Sequence, residues 1–248
     1  MSVSRTESVH HATVNRARVR LALLATAVAF TACSLNTPTD GTVSAISTPT
    51  SVLLASGGLQ VGSAGGPLTN PVWFKVLDQF GIASRGATVT FTTPTGSGSA
   101  SAATAVTNDT GYVSVTWTLG TTVGTDSLNA AIAGGTPVTA LAIARAAAPA
   151  TLTLVSGGAQ SGKAGSMLAA PLVVKVTDRY GNPVPNVSVT WSSDANGIFA
   201  ATTEITDAFG VAQNTYTLGP STGRQNIVAT VLTPGNTTLV SALFATGS

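Results

Sequence analysis

The sequence predicts an all-β protein made of two antiparallel sandwiches in tandem, and three observations carry that expectation. Hydrophobic residues make up 44% of the 248-residue chain but charged residues only 8% and aromatic residues 5%, with 26 glycines. Such a composition favours short strands joined by tight turns over long helices. A segment of about one hundred residues occurs twice: between 51 and 91, 16 of 41 positions are identical one hundred residues later, among them Ser56-Gly57-Gly58 and Ser156-Gly157-Gly158. Within each copy apolar and polar residues alternate with a period of two, as they do in strands with one buried face.

Taken in order, residues 1–32 read as a signal segment. Four arginines precede residue 21, and the apolar run Leu21–Ala32 is twelve residues long. A membrane-spanning helix needs roughly 20, so the run suits the apolar core of a cleavable leader instead. Cys33 follows directly and is the only cysteine, which excludes an intramolecular disulfide. The stretch Phe30-Thr31-Ala32-Cys33 resembles a bacterial lipobox, although Phe30 stands where Leu is usual. That resemblance implies lipidation of Cys33 and a membrane partner through the anchor, and Ser34 after it implies sorting to the outer membrane. Residues 33–49 are polar and without period, a tether whose ends would lie about 20 Å apart as a flexible coil.

The two copies occupy 50–147 and 148–248. In the second, strands are predicted near 151–156, 171–177, 186–192, 198–205, 210–218, 225–231 and 238–246. Alternation places Leu152, Leu154, Leu172, Val174, Val176, Val187, Val189 and Trp191 on the inward face, and Thr153, Lys175, Ser188 and Thr190 outside. Asp178-Arg179-Tyr180-Gly181-Asn182-Pro183 is turn chemistry between two strands and predicts a hairpin. Its counterpart in the first copy begins at Asp78. Phe91 and Trp117 in one copy and Trp191 and Tyr216 in the other are expected at the two core centres. A single-residue gap before Gly111 brings Trp117 opposite Tyr216, and Asn214 falls on an inward position held by Val115 in the first copy.

The pattern VKVTDRYGNPVPNVSVTW followed by TEITDAFGVAQNTYTLG resembles the group 1 bacterial immunoglobulin-like domain of intimins, invasins and surface lipoproteins. The first copy departs from it, with Ile82-Ala83-Ser84-Arg85 in place of Asn-Pro-Val-Pro. The resemblance implies two tandem immunoglobulin-like sandwiches of about seven strands each, in rods at bacterial surfaces that serve adhesion or spacing without catalysis.

Charge and residue inventory narrow the chemistry. From Cys33 onward there are seven Lys and Arg against eight Asp and Glu, so the pI near 9.0 comes from the leader and no basic stripe remains for nucleic acid. His10 and His11, the only histidines, lie in the leader, which leaves the remainder without an imidazole base or a His- or Cys-based zinc site. Carboxylates are what is left for catalysis: Asp178, Asp194, Glu204 and Asp207 are candidates for a glycosidase pair. Asp178 and Asp207, with Asp78 and Asp109 in the first copy, sit in turn signals and are expected to cap their own backbone. A calcium site has no DxDxDG run to support it. Lys75 and Lys175 recur on the outward period, as solvated or edge-protecting residues rather than crosslinking ones. No cofactor is expected. Three functions stay open: a non-enzymatic envelope module with an unknown protein or glycan ligand, which leads; a carbohydrate-binding accessory module using exposed aromatics such as Trp73; and, last, an enzyme built on the carboxylates.

Overall fold

The computed structural model describes residues 47–248; the expected leader, Cys33 and most of the expected tether lie outside the described residues. The first copy contains β1 (Pro49–Ser56), β2 (Gln60–Ser63), β3 (Val72–Asp78), β4 (Thr88–Thr92), β5 (Ser99–Ala100), β6 (Thr104–Val106), β7 (Tyr112–Val115), β8 (Trp117–Thr118), β9 (Gly124–Ala131) and β10 (Val138–Arg145). The second contains β11 (Pro149–Ser156), β12 (Gln160–Gly162), β13 (Leu172–Asp178), β14 (Ser188–Ser193), β15 (Ile198–Phe199), β16 (Thr203–Ile205), β17 (Val211–Asn214), β18 (Tyr216–Thr217), β19 (Gly223–Leu232) and β20 (Thr238–Gly247). Each copy pairs a three-stranded sheet with a five-stranded one, in the orders β1-β3-β7 and β2-β10-β9-β4-β6, then β11-β13-β17 and β12-β20-β19-β14-β16. Both are immunoglobulin-like sandwiches.

Alternating burial produces a separate core in each sandwich. Phe74, Phe91, Trp117 and Leu128 fill the first, and Leu172, Trp191, Tyr216 and Ile227 the second. The four expected aromatics are all buried. Trp117 satisfies its indole N–H by donating to the Ser97 carbonyl at 2.8 Å, whereas the Trp191 Nε1 is buried without a partner. Asn214 does point inward: its Nδ2 donates to the Ala201 carbonyl at 2.6 Å, and its Oδ1 is left unpartnered.

Several sequence expectations are corrected. The turn at 178–183 does not close a hairpin, because β13 and β14 belong to different sheets. After a single bridge, Thr177 to Pro183, the chain crosses to the other layer. Leu154 keeps the inward register, opposite the buried Val174, but is 39% exposed, because β11 is the edge strand of its sheet. A short strand went unseen in each copy: β2 and β12 pair in parallel with β10 and β20. The 198–205 and 210–218 segments each break into two short strands. The one-residue gap lies earlier than Gly111, since Gly96 and Ala195 already pack identically against Gly120 and Gly219. The length change therefore falls in the loop after β4.

Gly210 shows what the second turn of each copy demands. It has a φ of 73°, and a Cβ there would press on the Val176 carbonyl and the Val184 nitrogen; only glycine meets both conditions without strain. Trp117 is the largest side chain with no exposure at all. Trp117→Ala should therefore destabilise the first sandwich by about 3–5 kcal/mol. Calorimetry should show one transition moving down while the other stays in place.

Candidate functional site

The turns at one end of each sandwich are built by a carboxylate at the end of a strand. Asp178 is 1% exposed and fully engaged. Its Oδ1 accepts the N–H groups of Tyr180 at 2.8 Å and Asn182 at 2.9 Å, and its Oδ2 accepts the Asn182 amide at 2.8 Å and the Ala147 N–H at 2.9 Å. Asp78 repeats the arrangement with Phe80, Ile82 and the Ser47 hydroxyl. Beside each lies a buried threonine. Thr107 and Thr206 donate to the carbonyls of Ser84 and Val184 and accept the N–H groups of Ala87 and Val187.

Asp207 caps the neighbouring turn by accepting the N–H groups of Phe209 and Val211. In the first copy this role falls to Asn108, which accepts from Thr110 and Tyr112; Asp109 is instead exposed and paired with Arg85 at 2.7 Å. The earlier position of the gap explains the exchange, because Asn108 is the residue aligned with Asp207. Asp194 accepts the N–H and side-chain amide of Asn226, and Glu204 borders a shallow recess with Gln213 and Asn214. The candidate carboxylates Asp178, Asp194 and Asp207 are thus each occupied by local amides. Among the described residues, no three of His, Cys, Asp and Glu come together.

Two places stand out on the described surface, one exposed and one taken up by the contact between the sandwiches. On the outer face of the three-stranded sheet of the first sandwich, Trp73 is 38% exposed and borders a recess of about 360 Å³ with Ala55, Ser56, Asn108 and Tyr112. The Lys75 ammonium lies 5.1 Å from the Tyr112 ring centre. Tyr112 was not legible as a site residue beforehand; the cross-strand pairing of Lys75 with Tyr112 is what brings it there. In the second sandwich Val173 and Val211 occupy these positions and the recess has no aromatic wall. The second surface is the turn-bearing end itself, where Tyr180 and Asn182 of the second sandwich meet the first: the Asn182 amide donates to the Thr121 carbonyl at 2.8 Å, and the Val123 N–H donates to the Asn182 Oδ1 at 3.3 Å.

Burial alone would raise the Asp178 pKa, but the four donors around it outweigh that effect and hold the carboxyl below its ordinary value. At Asp78 burial again pulls upward, and donation from Ile82, Ser47 and Phe80 outweighs it, so this pKa is lowered too. Asp194 is lowered by Asn226. A carboxylate whose pKa is lower folded than unfolded contributes stability above the unfolded value of about 3.9, and that stability is lost as the pH falls below it. Denaturant unfolding between pH 7 and 2 should show resistance declining below about pH 4. Asp178→Ala should cost the second sandwich about 1–3 kcal/mol at pH 7 by stranding buried N–H groups, and should flatten the acid limb.

Comparison with known proteins places this architecture. The fold is shared with the Escherichia coli adhesin FdeC, at 19% identity over 79% of this chain and 64% of that one, with a TM-score of 0.51. InvD of Yersinia pseudotuberculosis matches at 21% identity, 81% and 57% coverage and a TM-score of 0.48. The D0-D1 domain of intimin matches at 20% identity, 80% and 98% coverage and a TM-score of 0.31. No curated protein sequence matches the chain. Residues 156–244 match the sequence model of the bacterial Ig-like domain family, group 1. The chain therefore carries a group 1 bacterial immunoglobulin-like domain over those residues.

Proposed function

We propose that this protein is a non-enzymatic module of the bacterial cell envelope, held on the outer membrane by lipid at Cys33 and presenting two immunoglobulin-like domains for adhesion or as a spacer. In this reading residues 1–32 are removed, 33–49 form the tether, and 50–147 and 148–248 are the two domains. The family match over 156–244 is the observation that carries it. The commitment of Asp178, Asp194 and Asp207 to local amides supports the absence of catalysis. Ligands would be taken at sandwich ends or sheet edges, since loops on a rigid scaffold and unpaired strands are the adaptable parts of such a fold.

The aromatic recess at Trp73 and Tyr112 favours a second reading, a carbohydrate-binding accessory module, because sugar rings stack on exposed aromatic faces. Three measurements separate these possibilities. Metabolic labelling with a fatty acid should mark the wild-type protein and not Cys33→Ser; label that persists in the variant refutes the anchor. Protease added to intact cells should then degrade a surface-displayed protein and spare one facing the periplasm. In a glycan pulldown, retention by a polysaccharide that Trp73→Ala and Tyr112→Ala each reduce at least tenfold would establish the second reading, and no retention would remove it.

A further inference from the structure

The second sandwich shows what the recess at Trp73 would be without its particular side chains. Val173 and Val211 stand there for Trp73 and Tyr112, and Asp207 for Asn108, while Lys75 and Lys175 are common to both copies. The exchange at Asn108 is not needed for capping, because Asn108 and Asp207 each accept two backbone N–H groups of their turn through Oδ1. What differs is the remaining atom. Asp207 presents a second acceptor oxygen, whereas the exposed Asn108 presents Nδ2, a donor of two hydrogens with no partner among the described residues. The residues bordering the recess, Ala55, Ser56, Trp73, Asn108 and Tyr112, include no carboxylate. Asp109 and Arg85 replace Ala208 and Pro185 of the second sandwich, and they pair with each other at 2.7 Å, so their charges cancel.

We propose that the recess takes an acidic sugar, a uronic acid unit whose ring lies on Trp73 and whose carboxylate meets Lys75 and Asn108. This rests on the carbohydrate reading of the recess and names its ligand class. The two rings then have different tasks. The Lys75 ammonium lies over the Tyr112 ring, 5.1 Å from its centre, so one face of Tyr112 is already taken. That contact holds a long flexible side chain beside the recess, and a charge held in place beforehand loses less freedom when a ligand binds. Lys175 has no such post, since its cross-strand neighbour is Val211. Trp73 is left as the platform for the sugar.

One fixed cation and one amide answer a single negative charge. Phosphate, which carries more, is commonly held by an arginine fork or a helix N-terminus, and neither borders the recess. At about 360 Å³ the recess stands near the lower end of the range for ligand sites, which suits one ring of a chain. It also lies over β3, the central strand of its sheet, whereas a peptide adding to that sheet would lie beside β1 or β7.

Retention of the full chain on polygalacturonate, alginate and hyaluronate, each beside its methyl-esterified form, tests this, because the ester keeps the sugars and removes the charge. At least one acidic polymer should hold the chain about tenfold more tightly than its ester, the scale of one charged hydrogen bond, and added salt should narrow the difference. Lys75→Gln should abolish the preference, and Asn108→Asp, which keeps the cap, should weaken it, while Lys175→Gln should leave it unchanged. Circular dichroism of each variant should match the wild type. Equal retention by acid and ester, or retention by neutral polysaccharides alone, overturns this inference and leaves the carbohydrate reading standing. No retention by any polysaccharide removes both. An equal loss from Lys75→Gln and Lys175→Gln overturns the inference by showing general charge attraction, and displacement by polyglutamate as effective as by the polysaccharide overturns it in favour of an acidic peptide.

Discussion

The structure depends on a carboxylate placed at the end of a strand. Asp78 and Asp178 stand where the chain must leave one sheet and enter the other, a place at which several backbone N–H groups lose their sheet partners together. A buried carboxylate can accept all of them at once, and an unpartnered N–H in the same place would cost about 1–3 kcal/mol. The cap therefore sets where β3 and β13 end and how the crossing segment is aimed. In the second sandwich it also fixes Asn182, whose amide both binds Asp178 and reaches across to the first sandwich. One side chain thus connects sheet termination, layer crossing and the joint.

Around this shared frame the two copies have drifted by different solutions to the same needs. Asp126 and Gln225 accept the N–H groups of Gly120 and Gly219 at 2.8 and 2.9 Å, a carboxylate and an amide doing equivalent work. At the core, Phe91 and Val115 are replaced by Trp191 and Asn214, which places a donor and an acceptor in the second interior without partners for Trp191 Nε1 and Asn214 Oδ1. Interiors tolerate few such groups. The outer surface has diverged further, since the first sandwich alone has the Trp73 and Tyr112 wall.

The functional reading follows from this division of labour. Asp78 and Asp178 are spent on holding turns and Asp194 on Asn226, and the lowered pKa of each follows from those hydrogen bonds. Among the described residues, exposed apolar and aromatic groups lie instead at the Trp73 recess and at Phe80, and the sheet edges are β1, β7, β2 and β6 with their counterparts β11, β17, β12 and β16.

What could be read from the chain alone was what short-range rules dictate. Period-two alternation assigned the inward faces and the core aromatics, and Asp178 and Asp207 were recognisable as caps because their partners lie two and four residues away. The tandem copy was visible as plain identity. Tertiary structure decided what depends on distant partners: that the Asp178 turn crosses between sheets instead of closing a hairpin, that β2 and β12 pair in parallel with strands far along the chain, and that Asn108 rather than Asp109 caps its turn. The joint is the clearest case. Asn182 finds Thr121 across 61 residues of sequence, and no local pattern records a hydrogen bond to a backbone carbonyl, because every residue has one.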